Sequence, residues 1–105
     1  MSTALDKFQN ALLPLDLNIL IDLAHERRRQ DEKWGEQNHK DEIWLAILSE
    51  EIGEVSQALL HNKFGGTHAG TLREELIQVA AVAIQWLDCI DRNGEIIEHQ
   101  SVEEE

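Results

Sequence analysis

The chain is poor in the residues that break, turn or staple a polypeptide. Of 105 residues, one is proline, six are glycine, one is cysteine and none is tyrosine. A sandwich or small barrel needs a turn every few residues, so this scarcity argues against an all-β fold and leaves helices as the default. The single cysteine, Cys89, excludes an intramolecular disulfide and a cysteine-based zinc site. Lying in the apolar run that ends helix three, it reads as a small buried hydrophobe. His25, His39, His61 and His68 share no zinc-like spacing. No stretch approaches the ~20 apolar residues of a membrane span, and Met1 to Lys7 lacks the pattern of a signal peptide. A cytoplasmic protein that avoids membranes is expected.

Positive charge is also scarce. Nine Lys and Arg face 21 Asp and Glu, a formal net charge of −12. Residues 95–105 hold five Glu and no Lys or Arg, and residues 1–94 alone still carry −7. Such a surface repels a phosphate backbone and excludes general nucleic-acid binding. It suits multivalent cations, or a polyphosphate that arrives with its own metal. The organisation expected is one helical domain over residues 1–94, followed by an acidic, disordered tail over 95–105.

The 42% of hydrophobic residues falls into helical patterns. Residues 1–14 form a short N-terminal helical arm ending at Pro14. Asp16 is an N-cap for helix one, which Trp34-Gly35 stops. Helix two begins near Asp41 and runs to about Leu60, and residues 61–70 read as a loop. Thr71, with Glu74 three residues on, forms a capping box for helix three, which continues to about Arg92 and ends at Asn93-Gly94. On helix three, Leu72, Leu76, Val79, Ala83, Trp86, Leu87 and Ile90 make one stripe, with Ile77, Ala81 and Ile84 on another face. A helix apolar on two sides needs cover on both. The expected fold is therefore all-α, three main helices plus the arm, with the bundle completed by dimerisation as a homodimer.

Certain carboxylates lie on the wrong face for a solvated helix. On the wheel of helix two, Trp44, Leu48, Val55 and Leu59 cluster within about 60°. Glu51 falls inside that stripe, Glu54 at its edge and Glu50 just outside. Helix three repeats the arrangement with Glu75 inside and Gln78 at the edge, and Gln85 two turns beyond Gln78 on the same line. Two i, i+3 pairs, Glu51/Glu54 and Glu75/Gln78, thus face inward on neighbouring helices. Converging carboxylates repel unless a cation stands between them, and a hard divalent ion takes oxygen ligands while keeping waters for a phosphate to displace. The bland alternative pairs these glutamates with Arg73, Lys63 or the cluster Arg27, Arg28 and Arg29.

The same residues carry a resemblance. Glu50-Glu51-Ile52-Gly53-Glu54, followed 21 residues later by Glu75-Leu76-Ile77-Gln78, resembles the EExxE…ExxD signature of the MazG-like all-α nucleoside triphosphate pyrophosphohydrolases. The stretch from Lys33 to His39 is similar to one found in short, phage-type members, and the likeness spans about residues 25–92. It implies an α-helical dimer or tetramer that uses Mg²⁺, with Mn²⁺ as a substitute, to split an NTP or dNTP into the monophosphate and pyrophosphate. By position it makes Glu51, Glu54 and Glu75 metal ligands, while Gln78 stands where the family usually has Asp and removes one negative charge. Glu50 or Glu51 would take a proton from the attacking water, although Glu50 also reads as an ordinary solvent-facing residue. Lys33, Lys63 and Arg73 would hold the outer phosphates or simply solvate the surface. Trp34 would stack on a base whose edge Gln37 and Asn38 read, or would seal the corner between helices one and two. Two competing readings remain: a non-catalytic acidic helical binding module, and a degenerate family member that keeps only the dimer.

Overall fold

In the computed structural model, residues 3–11, 16–66 and 70–94 are described. The expected tail over 95–105, and Leu12, Leu13 and Pro14 at the end of the arm, lie outside them. The described chain is all-α: four helices, α1 (Ala4–Ala11), α2 (Leu17–Trp34), α3 (Asp41–Phe64) and α4 (Leu72–Asn93), with no strand. No helix among the described residues is long and apolar enough to cross a membrane.

The helix ends follow from local chemistry. The Asp16 carboxylate accepts from the Asn18 N–H at 2.8 Å and starts α2. At α4 the Glu74 N–H donates to the Thr71 hydroxyl at 3.1 Å, and the Thr71 N–H donates back to the Glu74 carboxylate at 2.9 Å, a complete capping box. The Thr71 bonds, the backbone one first, hold the Glu74 carboxyl below its ordinary range. Thr71→Ala should lower stability to denaturant by about 1 kcal/mol, read as a shift in urea midpoint without a change in slope.

Helix α3 runs four residues past its expected end near Leu60. Nothing in His61-Asn62-Lys63-Phe64 breaks a helix, and termination waits for Gly65, whose φ of 87° favours glycine while its N–H bonds the His61 carbonyl.

Helix α4 is the hub. It packs against α3 and against α2, whereas α2 and α3 do not pack on each other, and α1 packs on none of them. The buried seam of α3 contains Trp44 and Ala58, with Glu51 midway at heptad spacing; that of α4 contains Glu75, Val82 and Cys89, again seven apart. The core is small: Trp44, Val82 and Cys89, with Ile47, Leu48 and Trp86 packed around them. Cys89 is buried, as expected. Trp86 is only partly buried and donates from its indole N–H to Asp41 at 2.9 Å.

The α4 stripe differs from the expected one. The arc that packs runs from Glu75 through Val82, Cys89 and Gln85 to Ala81, whereas Leu76 and Leu87 are half exposed or more. Wheel geometry orders side chains around a helix but does not say which arc a neighbour takes. Here both neighbours of α4 sit over the arc that bears the amides.

Candidate functional site

A cleft of about 450 Å³ opens where α2 and α3 diverge above α4. From α2 it takes Glu26, Arg29, Gln30, Lys33 and Trp34; from the α2–α3 loop, Gln37 and His39; from α3, Ile47, Glu50 and Glu51; from α4, Gln78, Val82 and Gln85. The loop is pinned to the end of α4. Arg92 donates to the Gln37 carbonyl and to Asn38 Oδ1, both at 3.0 Å, and Asn93 donates to Asn38 Oδ1 at 2.6 Å. His39 sits edge-on to buried Trp44, ring centroids 5.0 Å apart, and its Nε2 meets Gln37 Oε1 at 2.7 Å.

Of the residues singled out by sequence, the fold brings Lys33, Trp34, Gln37, Glu50, Glu51 and Gln78 to this one cleft. Asn38 is drawn into the tie to Arg92 and Asn93 instead. Arg73 lines an adjoining cleft of about 350 Å³, where it pairs with Asp22 at 2.7 Å; Glu26, Arg29 and Gln78 are common to both clefts. Lys63 lies at the far end of α3, its ammonium 5.5 Å from the Phe64 ring centroid. Glu54 is exposed. Glu75 is 95% buried against the loop that precedes α4, where a Cβ on Gly70 would fall 2.8 Å from its Oε1.

Glu51 is the electrostatic centre. Its Oε2 is buried without a hydrogen-bond partner. Burial pushes its carboxyl above the ordinary range, and the charges of Glu75, Glu54, Glu26 and Glu50 push the same way. The arginines of α2 are bonded to other carboxylates. Arg29 bonds Glu26 at 2.6 and 2.9 Å, Arg27 pairs with Asp31 and Asp88, and Arg28 pairs with Glu32. The hydrogen bond to Glu26 raises the Arg29 guanidinium, against the pull of burial, with the charges of Glu26 and Glu51 adding to it.

Trp34 is 62% exposed, so it does not seal the corner between α2 and α3. Its indole lies on the cleft wall with the Lys33 ammonium 4.9 Å from the ring centroid. An exposed indole with a cation over its ring, in a cleft that also holds carboxylates, suits a ligand that is flat at one end and polyanionic at the other.

Sequence reasoning missed Glu26, Arg29, Gln30 and Gln85. Glu26 and Gln30 stand one turn apart and lead on to Trp34, a polar line on α2 masked by the arginine run read as solvated surface. Gln85 was visible on the line of Gln78, yet nothing in the pattern indicated that the line is buried.

Among the described residues, no group of three or more His, Cys, Asp or Glu is spaced to hold a metal ion. Magnesium does not require such a cage: it is commonly held by one or two carboxylates, with waters and substrate phosphates completing the shell. The donor set fits in kind, since Glu51 offers a buried oxygen without a donor and Gln78 a neutral carbonyl in the same cleft. Comparison with protein-family models, curated proteins and solved structures finds no match to this chain.

Proposed function

We propose that the chain is a Mg²⁺-dependent nucleoside triphosphate pyrophosphohydrolase that cleaves an NTP or dNTP to the monophosphate and pyrophosphate, a nucleotide-pool activity of the kind its MazG-like motifs imply. The observation that carries this reading is Glu51, a half-buried carboxylate among four others, one oxygen without a donor, on the wall of a cleft that also presents an indole and a lysine. Glu51 and Gln78 would hold the metal, and the charges of Glu75 and Glu54, the other two motif positions, reinforce the field at Glu51. Bound Mg²⁺, or Mn²⁺ in its place, neutralises phosphate oxygens that these carboxylates would otherwise repel.

The chain's own groups do the rest. Trp34 stacks on the base, and Lys33 reaches the phosphates from the same turn. Arg29 and Arg73 line the adjoining cleft into which the outer phosphates extend. Glu50, exposed on the rim, accepts the proton of the attacking water. The water oxygen bonds to phosphorus, the bridging bond between the α- and β-phosphates breaks, and pyrophosphate leaves.

The test is pyrophosphate release from a panel of NTPs and dNTPs with and without Mg²⁺. Metal-dependent release is expected. Silence with every substrate at millimolar Mg²⁺ or Mn²⁺ rules out turnover by this chain, and release appearing only in Gln78→Asp would assign it to a degenerate member.

The reading includes a homodimer. Leu45, Ile52 and Leu59 are each at least half exposed and recur every seven residues along α3, a stripe that a second copy would cover. Ile52→Glu is expected to convert the dimer to monomer in sedimentation at micromolar concentration. An unchanged mass would move the interface elsewhere.

A further inference from the structure

Two glutamines in the cleft have no role in the chemistry above, and both are buried at a cost. Gln30 and Gln85 are each 7% exposed, and both line the cleft between α2 and α3. Gln30 Nε2 donates to Glu26 Oε2 at 3.1 Å, while its Oε1 is buried without a partner. The Glu26 carboxylate only accepts in this bond, and that fixes the Gln30 amide: the nitrogen must face Glu26, so the unpaired atom is an acceptor. Gln85 Nε2 is likewise buried without a partner, and it is a donor. Each atom has almost no accessible surface in the unliganded chain, so the amides must turn into the cleft to meet a ligand. Buried polar groups are almost always satisfied, and one left unsatisfied costs free energy that a partner recovers.

We propose that Gln30 and Gln85 read the edge of the substrate's base, Gln30 accepting from a ring N–H or amino group and Gln85 donating to a ring nitrogen or carbonyl. This rests on the nucleotide reading of the cleft and names its specificity determinants. The cleft supplies the remaining elements of a base site: Trp34 offers an exposed indole, and apolar Ile47 on α3 and Val82 on α4 line the same cleft. The ligand is a heterocycle with a donor beside an acceptor on its free edge, which a nucleobase provides and inorganic polyphosphate lacks. A pocket built around unpaired amides discriminates strongly, because the wrong base leaves those amides as they were.

The experiment separates base reading from hydrolysis. Binding of the four common nucleoside monophosphates is measured by calorimetry in EDTA, alongside forms methylated at the ring nitrogen of the pairing edge. One base should bind at least about 10-fold better than the poorest, and methylation should abolish that preference. Gln85→Leu should flatten the preference while keeping or raising the melting temperature, since it removes an unpaired buried group, and Gln30→Leu should flatten it while also losing the bond to Glu26. Gln85→Met, closer in shape, serves if the branched side chain fails to pack. Leucine or methionine variants that keep the wild-type preference overturn the proposal, as does equal binding of all bases and their methylated forms. Base-selective binding without pyrophosphate release leaves this inference standing and removes the hydrolase. Metal-dependent release at equal rates from every nucleotide does the reverse.

Discussion

Glu51→Gln is expected to abolish measurable pyrophosphate release while making the metal-free protein more stable. The loss should be on the order of 10²–10³-fold, the size seen when one electrostatic stabiliser of a developing charge is removed. The gain in stability follows from the raised pKa. A carboxyl whose folded pKa lies above its unfolded value binds its proton more tightly in the native state. Stability therefore falls as pH rises through the interval between the two values. Burial is the main cause of the shift at Glu51, with Glu75, Glu54, Glu26 and Glu50 adding to it. The amide keeps the shape and carries no charge, so the variant should lose that pH-dependent decline and melt higher at neutral pH in EDTA. A variant that melts lower would mean that Glu51 has a structural partner, and the metal reading would then lose its main support.

Trp44→Ala should be the most damaging substitution in the fold. Trp44 is fully buried, and it and Cys89 are the largest side chains so enclosed. Val82, Cys89, Ile47, Leu48 and Trp86 surround it, and its edge contact with His39 fixes the loop that carries Gln37. Replacing a buried tryptophan by alanine costs about 3–5 kcal/mol, against a total of about 5–15 kcal/mol for a typical domain. In a core this small the variant should be largely unfolded at 37 °C, read by far-ultraviolet circular dichroism during urea titration. A midpoint within experimental error of the parent's would place the stabilising core between subunits instead of inside one.

The elements were legible because their boundaries are local. Asp16, Thr71 with Glu74, and the glycines at 35 and 94 each set an end through bonds within a few residues, and the helices begin and stop at or next to them. Residues 61–64 were misread as loop because their polarity outweighed the absence of any breaker before Gly65. The inward turn of Glu75 was legible from spacing, and so was the half-burial of Glu51. The α2 wall was not, because a surface arginine run and a cleft-lining one have the same composition. Arg27 of that run turns to α4 outside the cleft, where its partner Asp88 lies 61 residues away. Arg29 shows the opposite case: its carboxylate partner, Glu26, is local, and only the packing of α2 on α4 turns that pair toward the cleft. The burial of Gln85 depends equally on where the other helices fall around α4.

Because α2 and α3 pack only on α4 and are otherwise joined just by the loop over residues 35–40, the two walls of the cleft share one spine and have no helix-to-helix brace of their own. A ligand spanning from Trp34 to Glu51 would be that brace. It would close a triangle that the polypeptide leaves open, so stiffness between α2 and α3 becomes a property of the occupied protein. The gap can then settle around the width of a base as α2 shifts on α4, while the Trp44 core stays within the α3–α4 pair.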